Sequence, residues 1–329
     1  MRGFDVLRAA LHEQEIRRAI GVPAAGNRTV EGVAPLDAGE DHCLYFVNVK
    51  VTEAVRDALA ARRGCIVIGP SGSGLAGTLG DCLVLEAPDP RAAIAKVLGF
   101  IRDEQRQPTL VAAGTIASSA VVSPFAVVEG HVEIGEGAVI EPFCVVGPDV
   151  RIGRGTILRS GVRVCSRVVI GDECVIGANT VVGHQGYGYV RDEAGNKTRI
   201  PHLGGVLIGS HVDIGAITAV QAGTIAATVI EDYAKVGDQI FVGHNVRVGR
   251  NASVTAGVTL AGHSVVEAEA WIGINASVRE GRRVGSHALV GMDVSVQHDL
   301  PDETVARAPR PAIAPRADGD RLAIGFTEG

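Results

Sequence analysis

The sequence FVGHNVRVGRNASVTAGVTLAGHSVV, residues 241–266, places an aliphatic side chain at every sixth position. The ladder residues of this stretch are Val242, Val248, Val254, Leu260 and Val266. The same spacing gives twelve consecutive aliphatics over 116–182 and another twelve over 230–296. A period of six residues is typical of a parallel β-helix, in which three short strands and three turns close each coil of about 18 residues. The spacing therefore predicts a left-handed parallel β-helix.

The amino-acid composition fits a narrow and regular interior. The chain of 329 residues is 46% hydrophobic but only 4% aromatic, and it contains 43 glycines. A small residue stands four places after many ladder residues, where it fits the corner of a triangular prism that has no room for aromatic rings. The formal net charge of −6 argues against a broad binding surface for nucleic acid.

Cysteine usage and hydropathy favour a cytoplasmic protein. The cysteines show no metal-like spacing, so we expect free thiols rather than a disulfide framework. They are Cys43, Cys65, Cys82, Cys144, Cys165 and Cys174. No apolar run approaches the roughly 18 residues that a membrane span requires. The first 20 residues, which include Glu13 and Glu15, lack the apolar core of a signal peptide.

Breaks in the ladder and changes of period divide the chain. Residues 1–105 alternate helical patterns with short strand patterns and predict a small α/β cap, whose GPSGSGLAG stretch reads as a turn rather than a phosphate loop. Residues 106–300 form the β-helix, and 301–329 a tail along its outside. The ladder breaks at a polar, Gly-rich loop over 184–205, too long for a simple connector and therefore expected to be functional. A smaller excess, TIAA at 224–227, predicts a bulge.

His244 and Gly262 are the candidate catalytic residues. His244 follows a ladder residue by two places and points outward, and Gly262 lies one coil of 18 residues later. An imidazole beside an exposed backbone N–H supplies a general base and an oxyanion donor, the two groups that acyl transfer needs. A β-helix has no deep pocket of its own, so we expect a homotrimer with sites between subunits. His263 lies 19 residues after His244, one residue more than a full coil, so we do not expect the two rings to converge on a metal ion, although the fold does host zinc enzymes. No bound cofactor is expected either.

These motifs resemble those of the UDP-3-O-acylglucosamine N-acyltransferases of lipid A synthesis, in the same order and over nearly the whole chain. The matching stretches are LYFVNVK (44–50), TIASSAVV (115–122), GYGYVRDEAGNKTRIPHLG (186–204), VGHNVRVG (242–249) and TLAGHSV (259–265). The resemblance implies a uracil-binding cap, a catalytic histidine at His244 and an oxyanion glycine at Gly262.

The departures from the family pattern fall at the expected ligand contacts. A charged family motif before the catalytic coil reads QAGTIAAT at 221–228. Gly281 and Arg282 stand in the place of a second family histidine, and Val49 and Val51 replace a proline and a tyrosine of the uracil region. A helical extension that grips acyl carrier protein in the family is missing. These changes favour a relative with a different nucleotide sugar, acyl group or carrier.

The sequence therefore predicts an N-acyltransferase that moves an acyl group from acyl-CoA or acyl carrier protein to the amine of a nucleotide-linked amino sugar. The alternatives are the lipid A reaction itself and a non-catalytic scaffold on the same fold. The expected acceptor-binding residues are Phe46, which stacks on the base, Asn48, Tyr187, Tyr189, His202 and Asn245. The expected acyl-donor contacts are Met292, Val294, Arg282 and Arg310, and the missing extension favours coenzyme A.

Overall fold

The computed structural model describes residues 6–23, 25–47, 50–104, 114–192 and 194–309. The tail from 310 onward lies outside these ranges, and so do Asn48, Val49 and Arg310. No helix in the described part of the chain is long and apolar enough to cross a membrane.

The first domain is the expected α/β cap. Its elements are β1 (Leu7–His12), α1 (Glu13–Ile20), β2 (Thr29–Val33), β3 (Cys43–Phe46), α2 (Glu53–Ala60), β4 (Ile66–Pro70), β5 (Leu83–Ala87) and α3 (Pro90–Asp103). The five strands form one sheet in chain order, antiparallel between β1 and β2 and parallel elsewhere. The carboxylate of Asp89 caps α3 by accepting from two backbone N–H groups, and Pro90 opens the helix at a position where its missing N–H costs nothing.

The second domain is a prism with three sheet faces. The first face contains Thr115–Ile116, Val132–Ile134, Val150–Ile152, Val168–Ile170, Val206–Ile208, Thr228–Ile230, Arg247–Val248, Val265–Val266 and Arg283–Val284. The second contains Val121–Val122, Val139–Ile140, Ile157–Leu158, Val175–Ile176, Asp213–Ile214, Lys235–Val236, Ser253–Val254, Trp271–Ile272, Leu289–Val290 and Val305–Ala306. The third contains Val127–Val128, Val145–Val146, Arg163–Val164, Val181–His184, Ala219–Gln221, Phe241–Val242, Thr259–Leu260, Ser277–Val278 and Ser295–Val296.

Strand register confirms the predicted parallel β-helix. Ile140 pairs with Val122 on one side and Leu158 on the other, an 18-residue step in each direction. The ladder aliphatics from Ile134 to Val296 form one continuous buried cluster along the axis. Burial of these methyl groups at about 25 cal/mol per Å² is the dominant stabilising contribution to the prism.

The two breaks in the ladder join the domains. The long loop forms a two-stranded hairpin from Tyr189–Arg191 and Lys197–Arg199 and then returns to the prism. Its Ile200 and Leu203, together with Ile225 of the TIAA bulge, are buried in the same apolar cluster as α3 and the cap sheet. Arg167 on the prism donates from Nε to the carbonyl of Leu203 at 3.0 Å. Loop and bulge are therefore the contact surface on which the cap sits.

Candidate active site

A cavity of about 770 Å³ opens between the cap and the prism. The cap contributes Phe46 and the α3 residues Arg91, Ile94 and Leu98. The long loop contributes Gly188, Ile200 and His202, and the bulge contributes residues 224–227. The prism side is formed by His244, Asn245, Arg247, His263 and Glu280, with neighbouring aliphatics. The long loop and the bulge, which both interrupt the ladder, therefore line the same cavity as the predicted catalytic residue His244.

Asn245 fixes the orientation and tautomer of His244. Nδ1 of His244 lies 3.2 Å from Oδ1 of Asn245, an amide oxygen that only accepts, so Nδ1 carries the proton. Nε2 is left with its lone pair, as a general base requires. The backbone N–H of His244 donates to Oε1 of the buried Gln221 at 3.1 Å, which anchors the residue to the preceding coil.

The bulge holds Asn245 in place. Oδ1 of Asn245 accepts from the backbone N–H of Thr224 at 3.0 Å and from its hydroxyl at 3.1 Å, while Nδ2 donates to the Ala226 carbonyl at 2.8 Å. The backbone N–H of Asn245 donates to Oγ1 of Thr228 at 2.8 Å. With φ +58°, Asn245 occupies the left-handed region, which asparagine tolerates better than most residues. The segment that looked like a loss of charge therefore holds Asn245 and, through it, His244.

Gly262 lies directly against the His244 ring, as the 18-residue coil predicts. A Cβ added at Gly262 would be 2.7 Å from Nε2 and 2.9 Å from Cε1 of His244. No group in the described part of the chain accepts a hydrogen bond from the Gly262 N–H. Gly243 keeps this amide uncovered, because a Cβ there would be 2.7 Å from the Gly262 nitrogen. The structure thus brings together a base and an open backbone donor.

Two further imidazoles flank His244. The ring centroids of His202 and His244 are 4.9 Å apart, and those of His244 and His263 are 5.0 Å apart, both edge to face. Burial, with a smaller contribution from repulsion by His244, lowers the pKa of His202 to about 4. Desolvation and the same repulsion lower the pKa of His263. Two imidazoles with lowered pKa values therefore flank the His244 ring.

The one-residue offset does not separate His263 from His244, contrary to our expectation. His263 lies 18 residues after Asn245 and stacks on that residue, which itself contacts the His244 ring. Counting one coil from Asn245 instead of His244 would have found it. In the described ranges no three His, Cys, Asp or Glu side chains are placed to hold a metal ion.

The predicted acceptor-binding residues are only partly gathered here. Phe46, His202 and Asn245 line the cavity, and Asn48 lies outside the described residues. Tyr187 is 73% exposed and packs edge-on against Tyr189, whose hydroxyl accepts from Arg199. Neither tyrosine lines the cavity of a single chain, and their contact with the acceptor stays a prediction.

Of the predicted acyl-donor residues, Met292 and Val294 lie at a different corner of the prism from His244, whereas Arg282 follows a strand of the same face as His244 does. Met292, which is 57% exposed, and Val294 follow a strand of the second face, whereas His244 follows a strand of the third. The two positions occupy different corners, so within one chain they do not share a groove. Arg282 lies near Asp299, with nitrogen to oxygen 3.5 Å, and its Nε is buried without a partner among the described residues.

Comparison with known proteins shows first that the first half of the prism is similar to transferases built from hexapeptide repeats. The model for "Bacterial transferase hexapeptide (six repeats)" matches residues 114–148, 133–165 and 149–184. A UDP-N-acetylglucosamine acyltransferase of Francisella novicida has a solved structure that is 28% identical, with a TM-score of 0.47 over 58% of this chain and 66% of that one.

Sequence relatives then identify the family. A UDP-3-O-acylglucosamine N-acyltransferase of Bradyrhizobium sp. BTAi1 is 36% identical over 251 residues, covering 72% of this chain and 69% of the relative. The Coxiella burnetii protein of the same name is 39% identical over 181 residues, 53% of each chain. The chain thus spans about half the length of the Coxiella relatives it matches. It belongs to the UDP-3-O-acylglucosamine N-acyltransferase family.

Proposed function

We propose that this protein is a thioester-dependent N-acyltransferase that acts on the amine of a UDP-linked amino sugar. One observation carries the proposal. A histidine with its Nδ1 proton fixed by Asn245 presents the lone pair of Nε2 beside Gly262, whose backbone N–H has no acceptor in the described part of the chain. A non-catalytic scaffold has no need of this arrangement.

The chemistry follows from these two groups. The neutral amine attacks the thioester carbonyl, and Nε2 of His244 takes the proton that the attacking nitrogen loses. The carbonyl oxygen becomes an oxyanion and accepts a hydrogen bond from the Gly262 N–H. When the carbon–sulfur bond breaks, the departing thiolate takes the proton from the imidazolium. The products are an amide and a free thiol, and His244 is restored.

The acceptor occupies the cavity in this proposal. Phe46 supplies a flat apolar surface for a nucleobase, and Arg91 and Arg247 are the cationic side chains on opposite walls that suit a diphosphate. The relatives' names specify a UDP sugar with an acylated 3-hydroxyl, so the lipid A acceptor itself is one candidate. The altered segment at 221–228 leaves other UDP-linked amino sugars as candidates too.

The acyl donor reaches His244 from outside the cavity. Because Met292 and His244 occupy different corners of the prism, a donor that touches both must lie between two chains. A homotrimer with three equivalent grooves is the simplest closed assembly that provides this. Arg282 is the predicted donor-binding arginine that lies in the described part of the chain, and it suits the phosphates of coenzyme A or the acidic surface of a carrier protein.

Thiol release is the direct test. The protein is incubated with acetyl-CoA, a long-chain acyl-CoA or a 3-hydroxyacyl carrier protein, each with UDP-glucosamine or UDP-3-O-acylglucosamine. His244→Ala should reduce kcat/KM by roughly 10²- to 10⁴-fold, the contribution of a positioned general base. His287→Ala, an exposed histidine on another corner, is the matched control. Retention of more than half the activity by a folded His244→Ala variant would refute the assignment.

A further inference from the structure

Three cysteines lie side by side at one end of the cap sheet. Cys43 begins β3, and Cys65 and Cys82 directly precede β4 and β5. Ile66 pairs with Leu83 on one side and with the residue after Cys43 on the other, so the cysteines occupy one row across three parallel strands. Neighbouring strands are about 4.8 Å apart, within the Cα–Cα range of about 4.4–6.8 Å that a disulfide bridges.

The three side chains share one face of the sheet, because residues in register on neighbouring strands point the same way. Cys43 and Cys65 are fully buried in an apolar cluster that includes Leu59 of α2, and the partly exposed Cys82 packs against the same cluster. None of the three cysteines lines the cavity between the cap and the prism. The row is therefore separate from the proposed active site, and Cys82 is the member that a reagent in solvent reaches first.

The contacts of the thiols distinguish one pair within the row. The side chains of Cys65 and Cys82 are hydrogen-bonded to each other, whereas Cys43 makes its hydrogen bond to Cys65 through the backbone. Both thiols also lie against the turn that follows α2. Sγ of Cys65 is 3.3 Å from the carbonyl oxygen of Arg63. Sγ of Cys82 is 3.5 Å from that of Arg62, so these two thiols are the pair best placed to form a bond.

We propose that Cys65 and Cys82 are a dithiol that low-molecular-weight disulfides, such as oxidised glutathione, convert to a protein disulfide. The thiolate of Cys82 attacks one glutathione sulfur, forms a mixed disulfide and releases one glutathione. The thiolate of Cys65 then attacks the Cys82 sulfur and releases the second. Each departing glutathione thiolate takes the proton that a protein thiol has lost, so two thiols and one small disulfide give one protein disulfide and two reduced glutathiones.

The bond ties the start of β4 to the start of β5 and closes the connection between them, which includes the Gly-rich stretch 69–77. Burial raises the pKa of Cys82 to about 11 and also raises the pKa of Cys65. Because the thiolate is the attacking species, formation of the bond is slow at pH 7. Its rate should rise about 10-fold for each pH unit between pH 7 and pH 9.

Peptide mapping tests the proposal. The full chain is incubated with oxidised glutathione at pH 8, the remaining thiols are blocked with N-ethylmaleimide in denaturant, and the peptides are identified by mass spectrometry. We expect two of the six thiols to be lost, with the peptides of Cys65 and Cys82 joined, and dithiothreitol should restore both. Cys144 and Cys174, which are buried in the prism, should stay free. Loss of these two thiols at the same rate would show that the reaction requires unfolding and would contradict the proposal.

Variants identify the pair. Cys43→Ser should form the same link at the wild-type rate, whereas Cys65→Ser should leave Cys82 as a stable mixed disulfide with glutathione. A link through Cys43 in the wild type, or a wild-type Cys82 that keeps its glutathione, would overturn the proposal. So would six free thiols after incubation at pH 9, where the Cys82 thiolate is about a hundred times more abundant than at pH 7.

Discussion

Gly262→Ala tests the central geometry with the addition of one methyl group. Gly262 is not in the left-handed region, so alanine meets no backbone penalty there. The new Cβ would instead lie 2.7 Å from Nε2, 2.9 Å from Cε1 and 3.1 Å from Cδ2 of His244. Ordinary carbon contacts begin near about 3.5 Å, so the ring must move by roughly 0.7 Å. The movement is away from the oxyanion donor, because Gly262 is the residue that carries it.

The expected effect is on turnover rather than on folding. A displacement near 1 Å from the productive geometry costs about 10²-fold in rate. We therefore expect kcat/KM for acyl transfer to fall roughly 10²-fold in Gly262→Ala. The ring lines the cavity and has space to move, so the melting temperature should change by no more than about 3 °C. The Kd for the UDP sugar, set in the cap and loop, should stay within about threefold.

Thiol release, calorimetry and thermal melting measure these three quantities on the same preparation. Gly130→Ala is the matched control, since Gly130 is exposed and a Cβ there meets nothing within 4 Å. Its activity should equal that of the wild type. Our reasoning is refuted if Gly262→Ala transfers acyl groups within threefold of the wild-type rate.

Two other perturbations address the support of the base. Asn245→Ala removes the acceptor of the His244 Nδ1–H and of both Thr224 donors, so we expect a loss of about 1–3 kcal/mol of unfolding free energy and roughly 10-fold in kcat. Asn251→Ala, at a position with the same left-handed backbone, is the control and should keep the wild-type kcat. Wild-type melting and turnover in Asn245→Ala would contradict this. The lowered pKa of His202, about 4, means that the unfolded chain binds the proton first on acidification, so stability falls between pH 7 and pH 5. In calorimetric melts, acidification from pH 7 to pH 5 should destabilise His202→Gln by about 2 kcal/mol less than the wild type. An unchanged pH dependence in this variant would contradict the lowered pKa of His202.

The fold could be predicted from the sequence because each coil repeats one rule. A ladder aliphatic every sixth residue buries one side chain per strand, and parallel register follows once the coils stack. The same 18-residue count placed Gly262 beside His244. Where the rule applies, residues 18 positions apart in the sequence are neighbours on adjacent coils.

The remainder of the site could not be predicted, because the 18-residue count between neighbouring coils does not apply across the two breaks in the ladder. Nothing in the spacing indicated that Thr224 and Ala226 would bind Asn245, or that Ile225 would enter the core of the cap. These contacts depend on how an extra segment folds back over a corner, which is a tertiary property without periodic signal. His263 was missed for a different reason. Its ring contacts the His244 ring directly, but its place in the coil is that of Asn245, so the relevant 18-residue count starts from the neighbour of His244.

A strict repeat cannot by itself produce a catalytic corner, because every coil presents the same backbone to its neighbours. Here the step from Val220 to Val242 is 22 residues instead of 18, and the same excess separates Ile208 from Ile230. The additional residues are those that hold Asn245 and contact the cap. Restoring an 18-residue coil by deleting 224–227 would keep the ladder intact but remove Thr224 and Ala226, the residues that hold Asn245 against His244. The departure from the repeat is therefore what orients the outward side chain of His244.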